Sequence, residues 1–312
     1  MRKLSTIVAV SLVIFLVARL SVSHFTASQL AAAGDASIPQ IAANDGGKPS
    51  FTEDQYAAHI KQLRAQLPNS GFTIVVRPPF VVVGDEDADV VRRRAQMTVG
   101  WAVERLKGQY FSKDPDRILN IWLFRDKASY EANAFRLFRS KPSTPYGYYS
   151  PSDDALVMNI ATGGGTLVHE IVHPFIESNF PKCPSWLNEG LGSLYEQSGS
   201  NGEKIVGLTN WRLAGLQRAI QSDSVPAFAE LCSTTRSQFY DKDPGTNYAQ
   251  SRYLCYYLQE QGLLEKYYHN FVANQKTDPT GYRTLQTVLE TDDMAEFQAA
   301  WQSYVLKLRF PS

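Results

Sequence analysis

Two histidines and a glutamate stand at a spacing that suits metal binding and catalysis. The stretch HEIVH places His169 and His173 four residues apart, with Glu170 between them. In an α-helix, side chains at i and i+4 lie on one face, so both imidazoles can reach one ion. Glu170 then projects beside the pair, where it can take a proton from a zinc-bound water. We therefore predict His169 and His173 as zinc ligands and Glu170 as a general base.

A third ligand is predicted on the following helix. Glu189 comes sixteen residues after the second histidine, in the segment WLNEG. Two histidines and one glutamate leave a zinc position open for water, as catalytic sites do. Glu177 is an alternative on the metal helix, but Pro174 is expected to bend that helix and carry Glu177 away. Glu196 is a second alternative to Glu189. It could also be an outer partner of a metal-bound histidine, but an ordinary solvated charge on the helix is the preferred interpretation.

Two motifs resemble those of a known peptidase group. HEIVHPFIE and WLNEGLGSLYE, followed by YAQSRYLCYYLQEQG, are similar to the gluzincin-type zinc metallopeptidases, the peptidase MA-like group. The resemblance covers roughly residues 72–275, but only HEIVH and WLNEG match specific motifs of the group. It implies zinc on the two histidines and Glu189, with Glu170 as the base. It also implies a strand antiparallel to bound substrate just before the metal helix, which would be residues 155–160.

The same resemblance implies a residue that stabilises the oxyanion. Tyr248 opens the helix that matches the family's tyrosine-bearing helix, and a donor opposite the zinc is needed there. Tyr195, Tyr253 and His269 are alternatives, and Tyr248 could equally be a core tyrosine. The chain departs from the family in a shorter spacing between HEIVH and Glu189, and it has no GxMEN segment. An exopeptidase that reads a free amino terminus is therefore not supported.

These residues predict an exported zinc metallopeptidase that hydrolyses peptide bonds in a peptide or protein substrate. A cell-wall amidase would use similar chemistry and is an alternative. A non-catalytic exported scaffold that keeps zinc for stability is another. Glu170 argues against the scaffold, because a structural zinc site has no use for a base and usually closes its fourth position with Cys or His.

The N-terminus and the charge balance bound the location and the partners. Arg2 and Lys3 precede an apolar run over residues 6–18, and small residues follow up to residue 33, as in a secretory signal peptide. An uncleaved signal anchor is the alternative, and it would be the predicted membrane contact. Residues 34–50 predict a linker. With 31 basic and 31 acidic residues the chain shows no basic footprint, so nucleic acid is not an expected partner.

The rest of the chain predicts an α+β fold, and the resemblance implies that this fold is zincin-like. Residues 51–160 are expected to form a small mixed sheet lobe. Residues 161–312 are expected to form a mainly helical catalytic lobe, with the metal helix at the junction. Strands are predicted at 72–77, 80–83, 118–124 and 155–160, and helices at 55–67, 87–110, 129–138, 185–197, 211–221, 248–261, 263–273 and 292–308. Residues 146–150 predict a tyrosine-rich turn that either lines a substrate groove or packs locally.

The cysteines and glycines support secondary predictions. Cys183, Cys232 and Cys255 are scattered singly, which is a poor pattern for metal binding. Two predictions are equally favoured: a disulfide between Cys183 and Cys232, or three thiols that are simply buried. Gly190 and Gly192 should allow the helix of Glu189 to approach the metal helix. The glycines of residues 162–165 are expected to make the start of the metal helix flexible. Alternatively, they could allow the backbone of a substrate to approach closely.

Overall fold

A five-stranded mixed sheet forms the N-terminal half of the chain. The computed structural model describes residues 51–67 and 71–310, so the predicted leader and linker lie outside the described residues. The sheet has the order β1-β2-β3-β5-β4. Strands β2, β3 and β5 are parallel, and β1 and β4 flank them as antiparallel edges. The strands are β1 (Thr73–Arg77), β2 (Phe80–Gly84), β3 (Leu119–Phe124), β4 (Gly147–Ser150) and β5 (Ala155–Asn159).

Helices cover both faces of this sheet because its central strands are apolar on both sides. Val81 and Val83 point to one face, where they join the cluster of Tyr130 from α4. Phe80 and Val82 point to the opposite face, toward α5, the helix that carries HEIVH. The first face is covered by α1 (Glu53–Gln66) and α4 (Lys127–Phe138). The second is covered by α2 (Ala88–Arg94), a π-helical turn (Ala95–Gly100), α3 (Trp101–Gln109) and α5 (Gly165–Asn179).

The C-terminal part is helical apart from one hairpin, which confirms the α+β class. Helix α10 packs along α6, and the buried Arg252 on α10 donates hydrogen bonds to the carbonyls of Ser193 and Leu208. The bond to Ser193 holds the last turn of α6, and the bond to Leu208 holds the segment that follows β7. The elements are α6 (Ser185–Tyr195), β6 (Ser198–Asn201), β7 (Lys204–Gly207), α7 (Arg212–Gln221), α8 (Phe228–Cys232), α9 (Arg236–Asp241), α10 (Pro244–Glu260), α11 (Leu264–Asn274), α12 (Tyr282–Leu289) and α13 (Met294–Lys307).

The tyrosine-rich segment before β5 is a strand rather than a turn. Residues 147–150 form β4, which pairs antiparallel with β5. This overturns the expectation that residues 155–160 face the substrate. Strand β5 is bonded to β3 on one side and β4 on the other, so its backbone has no free edge. The outer position next to the metal helix belongs to β4.

Two other sequence features are settled by the fold. All three cysteines are free, with Cys232 and Cys255 buried and Cys183 partly buried, so the predicted Cys183–Cys232 disulfide is not formed. Within the described ranges, no helix combines the length and apolar character that a membrane span requires.

Gly165 is required by the packing of α5 on α6, and its substitution tests that packing. A Cβ at this position would overlap the backbone carbonyl oxygen of Glu196, so the two helices would have to separate. We expect Gly165→Ala to destabilise the protein by about 1–3 kcal/mol. In contrast, a Cβ at Gly108 on α3 meets no atom within 4 Å. Gly108→Ala should be neutral or stabilise by about 0.5–1 kcal/mol, as alanine favours a helix.

Urea unfolding followed by tryptophan fluorescence measures both variants. Equal midpoints for Gly165→Ala and the wild type would contradict the packing argument.

Candidate metal centre

The two predicted histidines meet on one face of α5. Their ring centroids are 4.8 Å apart, and the helix continues through Pro174. His169, Glu170 and His173 offer ligand atoms that lie within 4.8 Å of one another, so this cluster could hold a metal ion. His169 is buried, whereas the side chains of His173 and Glu170 are 11% and 12% exposed. Solvent therefore reaches the cluster at His173 and Glu170 rather than at His169.

Glu189 from α6 adds a carboxylate to the two imidazoles. Its Oε2 lies 3.1 Å from Nε2 of His169 and 3.9 Å from Nε2 of His173. Donor atoms of a tetrahedral site with bonds of about 2.0–2.1 Å are about 3.4 Å apart, so these distances bracket the required spacing. The other oxygen of Glu189 accepts a 2.5 Å hydrogen bond from the hydroxyl of Tyr240. Two neutral imidazoles and a carboxylate are a donor set that divalent metal ions accept.

Each histidine has a partner on its second ring nitrogen. Nδ1 of His173 lies 3.0 Å from Oδ1 of Asn188. Nδ1 of His169 lies 3.2 Å from Oε1 of Glu196, close in distance but not well aligned for a hydrogen bond. Such partners fix the tautomer and orientation of metal-ligating histidines. Both Nε2 atoms are thereby directed to the centre of the cluster.

Glu196 is not the solvated charge that the sequence favoured. It is buried, and Arg212 holds both of its oxygens, with Nε at 3.0 Å from Oε2 and Nη2 at 2.7 Å from Oε1. Asn210 donates a further hydrogen bond to Oε2 at 3.2 Å. Glu196 is thus the outer partner of His169 that the sequence offered as the less favoured option.

Opposite charges keep the two buried glutamates ionised. Burial tends to raise the pKa of Glu189, but His173 and His169 outweigh it and lower that pKa to about 2. Burial has the same tendency for Glu196, and contacts with His169 and Arg212 lower its pKa to about 2. Burial acts to lower the pKa of His169, yet Glu189, Glu196 and Glu170 raise it well above its usual value. A bound cation would balance the same carboxylates in place of a proton on His169.

Glu170 is directed toward the edge of the sheet. Its Oε2 accepts a 3.1 Å hydrogen bond from the backbone N–H of Tyr149 on β4 and lies 3.7 Å from Nε2 of His173. Glu177 lies farther along α5 and accepts hydrogen bonds from the hydroxyl of Tyr149 at 2.7 Å and from Arg117 at 3.4 Å. Glu177 is therefore bound to its own partners rather than to the histidines.

A cavity of about 470 Å³ opens beside the cluster. Tyr248 is partly buried and lines this cavity together with Tyr240. Burial and the charge of Glu189 raise the pKa of the Tyr248 hydroxyl, so it stays protonated and can donate a hydrogen bond. The lining residues are Thr144, Gly147, Tyr148, Tyr149, Pro151, His169, Glu170, His173, Ile176, Glu177, Phe180, Pro181, Cys183, Asn188, Glu189, Arg236, Tyr240 and Tyr248.

The alternatives to Tyr248 are used elsewhere in the structure. The hydroxyl of Tyr195 is buried against that of Tyr110 at 2.8 Å. Tyr253 is buried and accepts a hydrogen bond from the backbone N–H of Asn210 at 3.0 Å. Nε2 of His269 lies 3.0 Å from a backbone carbonyl oxygen on α3. None of these three side chains lines the cavity.

The two glycines beside Glu189 serve different neighbours. A Cβ at Gly192 would lie 3.0 Å from Nε2 of His169, so this glycine does allow α6 to approach the metal helix. A Cβ at Gly190 would instead meet Cys255 at 3.0 Å and the carbonyl oxygen of Ser251 at 3.1 Å, both on α10. The expectation that Gly190 also faces the metal helix was wrong.

Sequence reasoning missed three residues of the site. Asn188 immediately precedes Glu189 in WLNEG, so its position beside a predicted ligand could have identified it as a residue of the site. Tyr240 and Arg212 lie on separate helices, α9 and α7, and no local pattern connects them to HEIVH. Only the packing of those helices brings them to the site.

Neither the protein-family models nor the curated proteins contain a match to this chain.

The depressed pKa of Glu196 gives a pH prediction. Because its folded-state pKa of about 2 lies below the usual value of about 4.3, ionised Glu196 stabilises the fold above pH 4.3. That stabilisation is lost as the pH falls toward 2. We expect the difference in unfolding free energy between wild type and Glu196→Gln to be largest near neutral pH. It should shrink as the pH falls from about 4.3 to about 2.

Urea unfolding of the metal-free proteins at several pH values measures this difference. Glu230→Gln, which changes an exposed carboxylate on α8, should follow the wild type throughout. A gap for Glu196→Gln that does not change with pH would count against a charged, paired Glu196.

Proposed function

We propose that this protein is a zinc-dependent peptidase of gluzincin type that hydrolyses peptide bonds. The observation that carries this proposal is the convergence of three donors. Oε2 of Glu189 lies 3.1 Å and 3.9 Å from the Nε2 atoms of His169 and His173, beside an open cavity. Two histidines and one carboxylate with an open side are typical of catalytic zinc sites. The sharp motifs HEIVH and WLNEG support the gluzincin assignment.

His169, His173 and Glu189 would hold the ion. Bound zinc lowers the pKa of a water molecule to about 7 and polarises a carbonyl group. Glu170 accepts the proton of the attacking water and passes it to the leaving amine. Its position supports this role, because it is partly exposed to the cavity and only 3.7 Å from Nε2 of His173. Glu189 suits the ligand role better, since it is buried and lies near both imidazoles.

The tyrosines of the cavity have separate roles in this proposal. Tyr240 donates its hydroxyl to Glu189 at 2.5 Å and so orients the ligand. Tyr248 lines the cavity and donates a hydrogen bond to the oxygen on which negative charge develops. This assignment is supported by the place of Tyr248 in the cavity lining, with His173, Glu170 and Glu189.

A peptide is the substrate that the surroundings favour. Strand β4 is an edge strand, and its residues Gly147, Tyr148 and Tyr149 line the cavity next to Glu170. An edge strand can pair with an extended peptide through main-chain hydrogen bonds, which would place a peptide group along the site. At β4 such a peptide would have to replace Glu170 as the partner of the Tyr149 N–H and the Thr144 side chain as the partner of the Gly147 backbone. Export is part of the proposal through the N-terminal sequence pattern alone.

Glu170→Gln tests the assignment of the base. The amide keeps the size of the side chain and its acceptor for the N–H of Tyr149, but it cannot take up a proton. We expect kcat/KM on a quenched fluorescent peptide library to fall by about 10²–10⁴-fold. The zinc content, measured by elemental mass spectrometry, should stay near one ion per chain.

Glu131→Gln is the matched control, because it changes an exposed glutamate on α4. It should leave both quantities unchanged. Full hydrolysis by Glu170→Gln would contradict the mechanism, and loss of zinc from this variant would make Glu170 a ligand instead.

A further inference from the structure

One arginine connects two separate parts of the candidate site. Arg212 on α7 holds Glu196 through two hydrogen bonds of 3.0 Å and 2.7 Å. The centre of its guanidinium also lies 5.1 Å from the ring centroid of Tyr248 on α10. The edge of one planar group therefore binds a carboxylate, while the same group lies over an aromatic ring.

The edge of Arg212 acts on the metal ligand through Glu196. Oε1 of Glu196 receives the 2.7 Å hydrogen bond from Nη2 of Arg212 and also lies 3.2 Å from Nδ1 of His169. The same carboxylate oxygen thus faces both the arginine and the histidine. A carboxylate beside the outer nitrogen attracts the ring N–H and thereby favours one orientation of a ligating imidazole, and Arg212 holds the carboxylate that lies beside His169.

The position of the guanidinium is set by aromatic rings. It lies 5.1 Å from the ring of Tyr248 and 5.6 Å from that of Trp211. Such cation–π contacts become stronger as the cation is removed from water, and the side chain of Arg212 is only 24% exposed. A lysine cannot reproduce this arrangement, since its ammonium neither binds a carboxylate bidentately nor lies flat over a ring.

We propose that Arg212 is a positioning residue that couples the orientation of His169 to that of Tyr248. Neither contact brings Arg212 to the cavity, of which it is not a lining residue. The His169 half of the proposal requires only that the site binds metal. The Tyr248 half rests on the proposed function, because it concerns a donor that acts during hydrolysis.

Arg212→Met and Arg212→Lys test the proposal through two independent readouts. The first is zinc affinity by competition with a chromophoric chelator, together with the visible spectrum of the cobalt-substituted protein. The second is kcat and KM, determined separately. We expect zinc affinity to weaken by about 10–100-fold and the cobalt bands to change, because His169 loses its fixed orientation. We also expect kcat to fall by about tenfold or more with KM nearly unchanged.

The lysine variant distinguishes the effect of the positive charge of Arg212 from the effect of its planar shape. It keeps the positive charge but should recover little of either loss. Arg218→Met removes an exposed arginine from the same helix and is the matched control, which should resemble the wild type in both readouts. If Arg212→Met does not fold, as judged by circular dichroism, Arg212→Lys carries the test.

Double variants identify the coupling itself. Glu196→Gln combined with Arg212→Met should be less than additive in zinc affinity, because both changes release His169. Tyr248→Phe combined with Arg212→Met should be less than additive in kcat. Additive effects in both pairs, or Arg212 variants within about twofold of wild type in zinc affinity and kcat, would overturn the proposal. If the wild type binds zinc but cleaves no peptide, the proposed function and the Tyr248 half fail, while zinc affinity still decides the His169 half.

Discussion

The close approach of α6 to α5 is the constraint on which the candidate site depends. His169 lies between two carboxylates of α6, with Glu189 at 3.1 Å from one ring nitrogen and Glu196 at 3.2 Å from the other. This contact is possible because each of the two helices carries a glycine where the other helix comes closest. Gly192 leaves room for the His169 ring, and Gly165 leaves room for the carbonyl oxygen of Glu196. The glycines therefore serve helix packing in the first place, and the metal site follows from that packing.

The same approach buries a set of charges that no single element could stabilise. Glu189 and Glu196 are both buried on α6, and their pKa values are held near 2 against the effect of burial. Their counter-charges come from α5 and α7, through His169 and Arg212. Removing one partner would leave a buried carboxylate uncompensated, which is costly in a protein interior. The electrostatic balance and the position of the ligands are thus consequences of one arrangement.

Sequence periodicity was sufficient for the long elements and for the parts of the site that lie within one helix. His169, Glu170 and His173 belong to a single helix, so their relative positions follow from the i, i+4 spacing alone. Glu189 was predicted because it stands in a recognisable segment on the next helix. Strand β4 was missed because its glycine and neighbouring proline favour a turn, while pairing with β5 makes it a strand. The buried state of Glu196 was also missed. It depends on Arg212, which lies beyond the β6–β7 hairpin, and such a contact leaves no trace in local sequence.

The central claim is that His169, His173 and Glu189 bind one zinc ion, with Glu170 beside it and unligated. Anomalous X-ray diffraction at the zinc absorption edge, from crystals of the zinc-loaded protein, tests this claim most directly. We predict one anomalous peak at about 2.0–2.2 Å from both Nε2 atoms and from an oxygen of Glu189. A peak bound by Glu170 in place of Glu189, or no peak between the two histidines, would contradict the account.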